Sequence, residues 1–593
     1  MPTSRTLATS LVIAFGLASL AGAQNQNTQL SVAGIPIGAR LRGDLYAFVV
    51  PELTQNADLD GDGDVQSWVL HVIAGENGAI ENLHLPVPVI GTPFQTPPFQ
   101  MSDRLVAFLV VESELNAIAN PTGTDLNGDG DVLDRVVHVY DRVTHQVHDT
   151  FLGGVSLPGG LAVEGDTVVM AVDESAQNVD LDGDGLLTHT VACTWTVPGG
   201  VVSLARPAKV HPGRSSSVGI AGGRAYFLEN ESVSLIDKNA DGDTNDSVLQ
   251  EVNLATYVTT NLALDADDLK SSANMLAFRV GEAAQGNADR NGDGDVNDRV
   301  ECLRIPRLNS TRDLRCAVKT DTQGRTYTTV SGFLVAMRVA EQAFPPVDLN
   351  GDGDTQDVVL FVHDARANLT RNTQRAVPDD THVGGQPFLI AGDSILFAGS
   401  EYYAGQTDFN GDGDALDAVA QLYLSSTGAI LDLGVAVPNA IDGGLRASST
   451  WLTMCVGEIE QGNVDLNANG ILGDHVLFAF DRLSGSLTNL GISVAEEADV
   501  VLSGRDVLFT TGEYVTGDAN GDGDTSDTVV HRRDGATGIV TNVGLAVGSN
   551  SSQPSVLGIG SRGLVTVAEF ANGAVDHNGD GDVFDGVLHF VPF

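Results

Sequence analysis

The stretch Asp125–Asp134, D-L-N-G-D-G-D-V-L-D, decides how this chain is read. Oxygen-bearing side chains stand at positions one, three, five, seven and ten: Asp125, Asn127, Asp129, Asp131 and Asp134. Alternate side chains converge on one point when a backbone coils around an ion, and the glycine at six permits the sharp turn. The same loop starts at Asp58, Asp180, Asp237, Asp289, Asp348, Asp408, Asp465, Asp518 and Asp576, at spacings of 52 to 67 residues. A period this steady means one structural unit repeated, ten times here.

The copies differ in their oxygens. Five more carry the full set: Asp289, Asn291, Asp293, Asp295 and Asp298; Asp348, Asn350, Asp352, Asp354 and Asp357; Asp408, Asn410, Asp412, Asp414 and Asp417; Asp518, Asn520, Asp522, Asp524 and Asp527; Asp576, Asn578, Asp580, Asp582 and Asp585. The first has Asp58, Asp60, Asp62 and Asp64 but Ser67 at ten. The fourth keeps Asp237, Asn239, Asp241, Asp243 and Asp246, with Ala240 at four. The third keeps Asp180, Asp182 and Asp184 but has Leu186 and His189 at seven and ten. The eighth is poorest: Asp465, Asn467, Asn469 and Asp474, with Ile471 at seven. Metal binding is therefore expected to be weaker or lost at the third and eighth. The oxygen-only set suits Ca2+, up to about ten ions. Mg2+ takes fewer protein ligands, and Zn2+ or Cu2+ would want His or Cys.

Around each loop lie short apolar runs separated by turn residues. In the third repeat these are Gly160–Val163, the turn Glu164-Gly165-Asp166, Val168–Val172, the loop, and Val191–Val197. In the second, Val136–Tyr140 follows the loop, then a polar turn, then Val147–Leu152. Each repeat reads as four strands, with the loop between the second and third. No long 3.6-period segment occurs, and 68 glycines are spread throughout. The fold class is all-β, a β-propeller of ten four-stranded blades. The last repeat stops after its third strand, Val587–Phe593, while a spare strand, Thr28–Gly34, resembles the fourth strands elsewhere. The N-terminal strand is thus expected to complete the last blade and close one ring, which removes exposed edges. Two five-bladed propellers and an open array are the alternatives.

The loop resembles the calcium loops of FG-GAP and VCBS propeller repeats, the integrin α type, which read D-x-N-G-D-G-x-x-D. The order of turn, second strand, loop and third strand resembles the blade layout of TolB-type propellers. The resemblance implies a calcium-binding propeller. This chain closes its loop at position ten instead of nine, adds an acid at seven, and lacks the family's phenylalanine-glycine and glycine-alanine-proline signatures. The opening positions also match an EF-hand, but Val136 and Val529 stand where its closing Glu belongs.

Charge follows the loops. The chain carries 78 acidic and 31 basic residues, net −47. The loops hold 37 of the acids and only Lys238 and Arg290 of the bases, so the remainder is near −12. Ten divalent ions would offset roughly 20 charges. No basic patch exists to neutralise phosphates, which argues against nucleic acid. Residues 1–23 read as a signal peptide: Arg5, the apolar run Leu7–Leu20, then Ala21-Gly22-Ala23 before Gln24. The ten-repeat propeller is then 24–593, secreted, extracellular or periplasmic. An uncleaved anchor is the alternative; no later stretch is apolar enough to span a membrane. Cys302 and Cys316 flank one predicted hairpin and can bridge it, while Cys193 and Cys455 read as buried thiols.

Three further recurrences stand out. A Glu ends nearly every second strand, five to seven residues before the loop: Glu52, Glu174, Glu231, Glu282, Glu341, Glu401, Glu458, Glu513 and Glu569, with Glu112 and Glu114 displaced by an insertion. It either supplies the carboxylate missing from position twelve or is an ordinary strand-end acid. His71, His138, His531 and His589 share one third-strand position, an acid–base or metal cluster or, the plainer reading, a semi-buried polar site. Tyr402, Tyr403, Tyr514, Phe570 and Phe344 form a recognition face or pack between blades. No nucleophile elbow, zincin helix, phosphate loop or dinucleotide fingerprint occurs. The expectation is a monomeric scaffold binding a protein or glycan. The rival is a hydrolase or lyase acting on extracellular polysaccharide.

Overall fold

The computed structural model describes residues 25–32, 39–75, 79–88, 98–115, 123–155, 159–197, 200–210, 216–320, 327–343, 347–378, 388–438, 444–495, 499–548 and 555–593. The candidate signal peptide and Phe344 lie outside these. Among the described residues no helix is long and apolar enough to cross a membrane.

The chain is all-β, built from four-stranded antiparallel sheets taken in sequence order, a propeller-type arrangement. Six sheets are discrete four-stranded units; two eight-stranded ones are each a pair of such units joined at one residue pair, Ala208↔Glu229 or Val547↔Val567. The second repeat shows the pattern: Phe99–Met101, Leu105–Val111, Arg135–Asp141 and Gln146–Gly153. The expected runs fall on these strands and on Leu161–Glu164, Thr167–Asp173 and Thr190–Thr196 within about a residue.

Burial explains the composition of the strands. Second and third strands are covered on both faces, so Leu105–Val110 is buried without a break and reads as continuous Val, Leu and Phe. Fourth strands are exposed or half-buried over most of their length and buried at their ends, as in Gln146–Gly153 and Ala429–Val437. Apolar side chains from neighbouring sheets form shared cores: Leu45, Phe99 and Phe108 between the first two repeats, Leu249, Phe278 and Cys302 between the fourth and fifth. Tyr46 and Phe48 of the first repeat share a core with Leu564 and Phe590 of the last.

The N-terminal strand is Gln26–Ser31, two residues earlier than expected at its start; Ala33 and Gly34 lie outside the described residues. It pairs antiparallel with Gly586–Pro592, Asn27 opposite His589 and Ser31 opposite Val587, in the place of a fourth strand.

The Cys302–Cys316 bridge is corrected. All four cysteines are free and buried. Cys302 faces the core shared with the fourth repeat and Cys316 the core shared with the sixth, so the two thiols lie on opposite sides of one sheet. A strand bulge places Asp313 opposite Cys302, whose thiol donates to it at 3.0 Å.

Candidate metal-binding loops

Each loop is closed at its base by the main chain. The N–H of the strand-end Glu donates to the carbonyl of position ten in every repeat, as Glu112 to Asp134 at 3.2 Å and Glu401 to Asp417 at 2.9 Å. A short helical turn, unforeseen from the sequence, follows that Glu, for example Glu52–Gln55, Glu231–Ser234 and Glu513–Thr516. In the second repeat Glu112, not Glu114, holds the strand-end position.

Inside the loop the carboxylates hold backbone amides. Asp125 accepts from Gly128 N–H at 2.6 Å and Gly130 N–H at 3.2 Å. Asn127, Asp129 and Asp131 each accept, through Oδ1, the amide two residues on, at 3.1, 3.0 and 2.8 Å. One oxygen of each is thereby fixed, which aims the side chain. Gly128 and Gly130 have φ of 80° and 106°, the left-handed region that glycine enters without penalty. Ala240 and Ala468 take the first of these places at φ 64° and 61°. There a Cβ costs about 1 kcal/mol.

The strand-end glutamates are buried beneath the loops. Glu112 accepts through Oε1 from Leu126 and Asn127 N–H at 2.6 and 3.3 Å, and through Oε2 from Asp134 N–H at 3.1 Å. The arrangement recurs at Glu282, Glu341, Glu401, Glu458, Glu513 and Glu569. These are not ordinary solvated strand-end acids; they are the loop's internal anchor. Carboxylate oxygens of Glu112, Asp131 and Asp134 lie within 4.8 Å of one another, as do those of Glu513, Asp522, Asp524 and Asp527, and of Glu52 with Asp58 and Asp60 or with Asp62 and Asp64.

Crowding marks position ten. Burial, and then the neighbouring carboxylates, push Asp134 up to about 6 and Asp298, Asp357 and Asp417 up to about 7. Asp246 is raised to about 7, and Asp527 and Asp585 to about 6. In the first loop, where Ser67 stands at ten, Asp60 takes this role at about 7. An ionised loop of this kind calls for a cation. The residues fit a hard one: the donors are all oxygen, and Glu231 Oε2 is buried in the fourth loop with no hydrogen-bond partner.

The poorer copies differ as their residues dictate. In the eighth, Asn469 turns its amide onto Asp474 at 2.6 Å, so a donor stands where the other loops place an acceptor. In the third, His189 Nε2 lies 2.9 Å from Asp182 Oδ2.

Position three also joins neighbouring repeats. The Asn amide reaches the turn after the next repeat's Glu: Asn127 to Ala176 O at 2.7 Å, Asn239 to Ala284 O at 2.8 Å, Asn350 to Tyr403 O at 2.7 Å, Asn410 to Glu460 O at 3.0 Å and Asn520 to Ala571 O at 2.6 Å. Asn578 of the last repeat makes the same bond to Thr54 O of the first, at 3.0 Å. Asn56 to Asp580 O likewise repeats Asn178 to Asp129 O, both at 3.2 Å.

A further set went unread in the sequence. A polar residue on the fourth strand donates to the carbonyl of loop position two: Asn82 to Leu59, Asn261 to Lys238, Asn372 to Leu349, Asn489 to Leu466 and Asn542 to Ala519, at 2.6–2.8 Å. On the N-terminal strand Asn27 does this to His577 O at 2.7 Å. The signal was an Asx two residues before a bulge residue of positive φ, such as His84, Ala263 or Gln374.

The shared histidines follow the plainer reading. His71, His138 and His531 are buried, turn Nδ1 to the carbonyl two residues back, and lie 5.5–5.9 Å from Phe48, Phe108 and Phe509. Burial lowers the pKa of all three and of His589. Tyr402, Tyr514 and Phe570 are exposed beside the loops, and Tyr402 packs edge-on against Tyr403 at 5.1 Å.

No protein-family profile matches the chain, and no curated protein matches it. Among solved structures it is similar to the tricorn protease at 10% identity and TM-score 0.23, over 90% of this chain and 47% of that one. The β-propeller domain of the Trilobed protease from Pyrococcus furiosus matches at 9% identity and TM-score 0.25, over 68% of this chain and all of that one. Dipeptidyl peptidase 4 of Porphyromonas gingivalis matches at 11% identity and TM-score 0.35, over 90% and 65%. The chain thus spans about half the length of the tricorn protease.

Proposed function

We propose that this chain is a secreted, calcium-stabilised propeller of ten four-stranded blades in one closed ring, serving as a binding scaffold for a protein or glycan. The calcium reading is carried by the buried strand-end Glu. A fully buried carboxylate beneath three or four more acids is costly unless a cation joins them. Glu231 Oε2, with no donor of its own, gives that need its clearest form. Calcium of the extracellular kind, held by flexible all-oxygen loops, meets it. The ion's role is structural: it neutralises each loop and fixes the connection between second and third strands.

The single ring is supported by the seam between last and first repeats, where Asn578–Thr54 and Asn56–Asp580 reproduce the bonds of the interior seams. The scaffold reading follows from regularity, since carboxylates present in every repeat share one structural task. Calcium content after gel filtration tests the first claim. Several equivalents per chain, with the melting temperature falling on chelation, are expected; fewer than two equivalents and an unmoved transition would refute it. Class averages of single particles test the ring, and five-fold bodies or open arcs would refute that.

A further inference from the structure

We infer that the third loop is a site for a borderline transition metal of the Zn2+ class, distinct from the calcium loops. The third repeat replaces the acids at seven and ten by Leu186 and His189. The result is not an emptied loop. His189 Nε2 lies 2.9 Å from Asp182 Oδ2, 3.2 Å from Glu174 Oε2 and 3.7 Å from Asp184 Oδ2. Glu174, Asp182 and His189 offer ligand atoms within 4.8 Å of one another. Bonds of roughly 2.0–2.1 Å to Zn2+ place tetrahedral ligands about 3.3–3.4 Å apart. The three separations bracket that edge.

Glu174 supplies the independent observation. Its side chain is fully buried and its Oε2 takes no hydrogen bond. In most other loops this oxygen receives the position-ten amide, as from Asp134 to Glu112. Here it points at His189 Nε2, which has one hydrogen at most and already faces Asp182. A proton on Nε2 serves one of these carboxylates and leaves the other bare. A metal ion at the same point takes both oxygens and the nitrogen. Imidazole favours Zn2+, Co2+ or Ni2+ over Ca2+, which seeks six or more oxygens.

Cobalt titration in a large excess of calcium tests this on the whole chain, because calcium fills the oxygen-only loops. One equivalent of Co2+ with the intense visible band of a four-coordinate ion, displaced by Zn2+, is expected. His189→Asp should lose the band and weaken Co2+ binding by about tenfold or more. The double variant Leu186→Asp/His189→Asp rebuilds the loop pattern of the other repeats and guards against misfolding. It should bind no Co2+ and, if the calcium reading holds, one calcium more than the parent. Absence of the cobalt equivalent in the unmodified chain would overturn the inference and leave His189 as an internal cation. An equal cobalt equivalent in both variants would overturn it as well. Neither cobalt result depends on the calcium count, so the two readings fail separately.

Discussion

Replacing Glu112 separates two jobs that the structure gives to one carboxylate. As an anchor it accepts three backbone amides of the loop Asp125–Asp134, at 2.6, 3.3 and 3.1 Å. Hydrogen bonds to a charged acceptor contribute about 1.5–3 kcal/mol each when buried, less where water can replace them. Two of the amides sit on half-exposed residues, Leu126 and Asn127. Glu112→Ala should therefore cost about 3–5 kcal/mol with or without metal. For a chain of this length the entropy of melting converts that to a fall of roughly 3 °C. Glu112→Gln is the sharper probe. Its carbonyl keeps the pair of bonds made by Oε1, while its amide opposes Asp134 N–H. Without metal the lost charge also relieves Asp134, which Glu112 helps to hold near 6. The two effects have opposite sign, so the apo protein should melt within about 1 °C of the parent. With calcium the same lost charge is a lost ligand. Affinity at that site should drop by about tenfold, or 1.4 kcal/mol. Calorimetric titration and melting with and without calcium read both quantities. An unchanged calcium affinity and an equal melting shift in both conditions would show that Glu112 only anchors.

The remaining predictions concern protons, seams and thiols. In the metal-free protein the position-ten aspartates have folded pKa values near 6–7 against about 3.8 unfolded, so the folded state holds the extra protons between these limits. Stability should then fall as pH rises from about 4 to 7, and calcium binding should release protons over the same window. A metal-free melting temperature that rises across that range would contradict this. Asn578→Ala should destabilise by about 1 kcal/mol, as much as Asn350→Ala or Asn520→Ala, because all three break the same seam bond. A silent Asn578→Ala beside two costly partners would speak against ring closure. Ellman's reagent should find no reactive thiol in the native protein and four after unfolding without reductant; two would revive a bridge.

Much of this was legible because period and chemistry coincide. The loop spacing sets the repeat, and wholly apolar runs such as Leu105–Val111 betray strands covered on both faces. The strand-end Glu was visible as a recurrence, but its amides were not, since they belong to residues six to twenty-two positions ahead. The fourth-strand Asx anchors were hidden for a similar reason. Their partners lie 23 residues upstream across a bulge, and a bulge shifts the alternation that pattern reading relies on. The proposed cysteine pair failed on geometry that sequence distance cannot express: fourteen residues apart along the chain, the two thiols face different cores.

The seams couple each loop to the neighbouring repeat. Position three of a loop has two duties: its carbonyl oxygen orders the loop, and its amide clasps the next repeat. Position ten receives the same amide, as Asn127 to Asp134 at 3.1 Å. Charge at the centre of the loop therefore bears on the contact between neighbouring sheets. Where position three is Asp, in the first and third repeats, that amide is absent. These two loops are also the ones that lack an acid at ten. The pairing is physical: an Asp at three facing an Asp at ten would add a fifth carboxylate with no donor between them. Ser67 and His189 are the two solutions to that conflict, one removing the charge and the other opposing it. The second creates a nitrogen ligand where every other loop offers only oxygen.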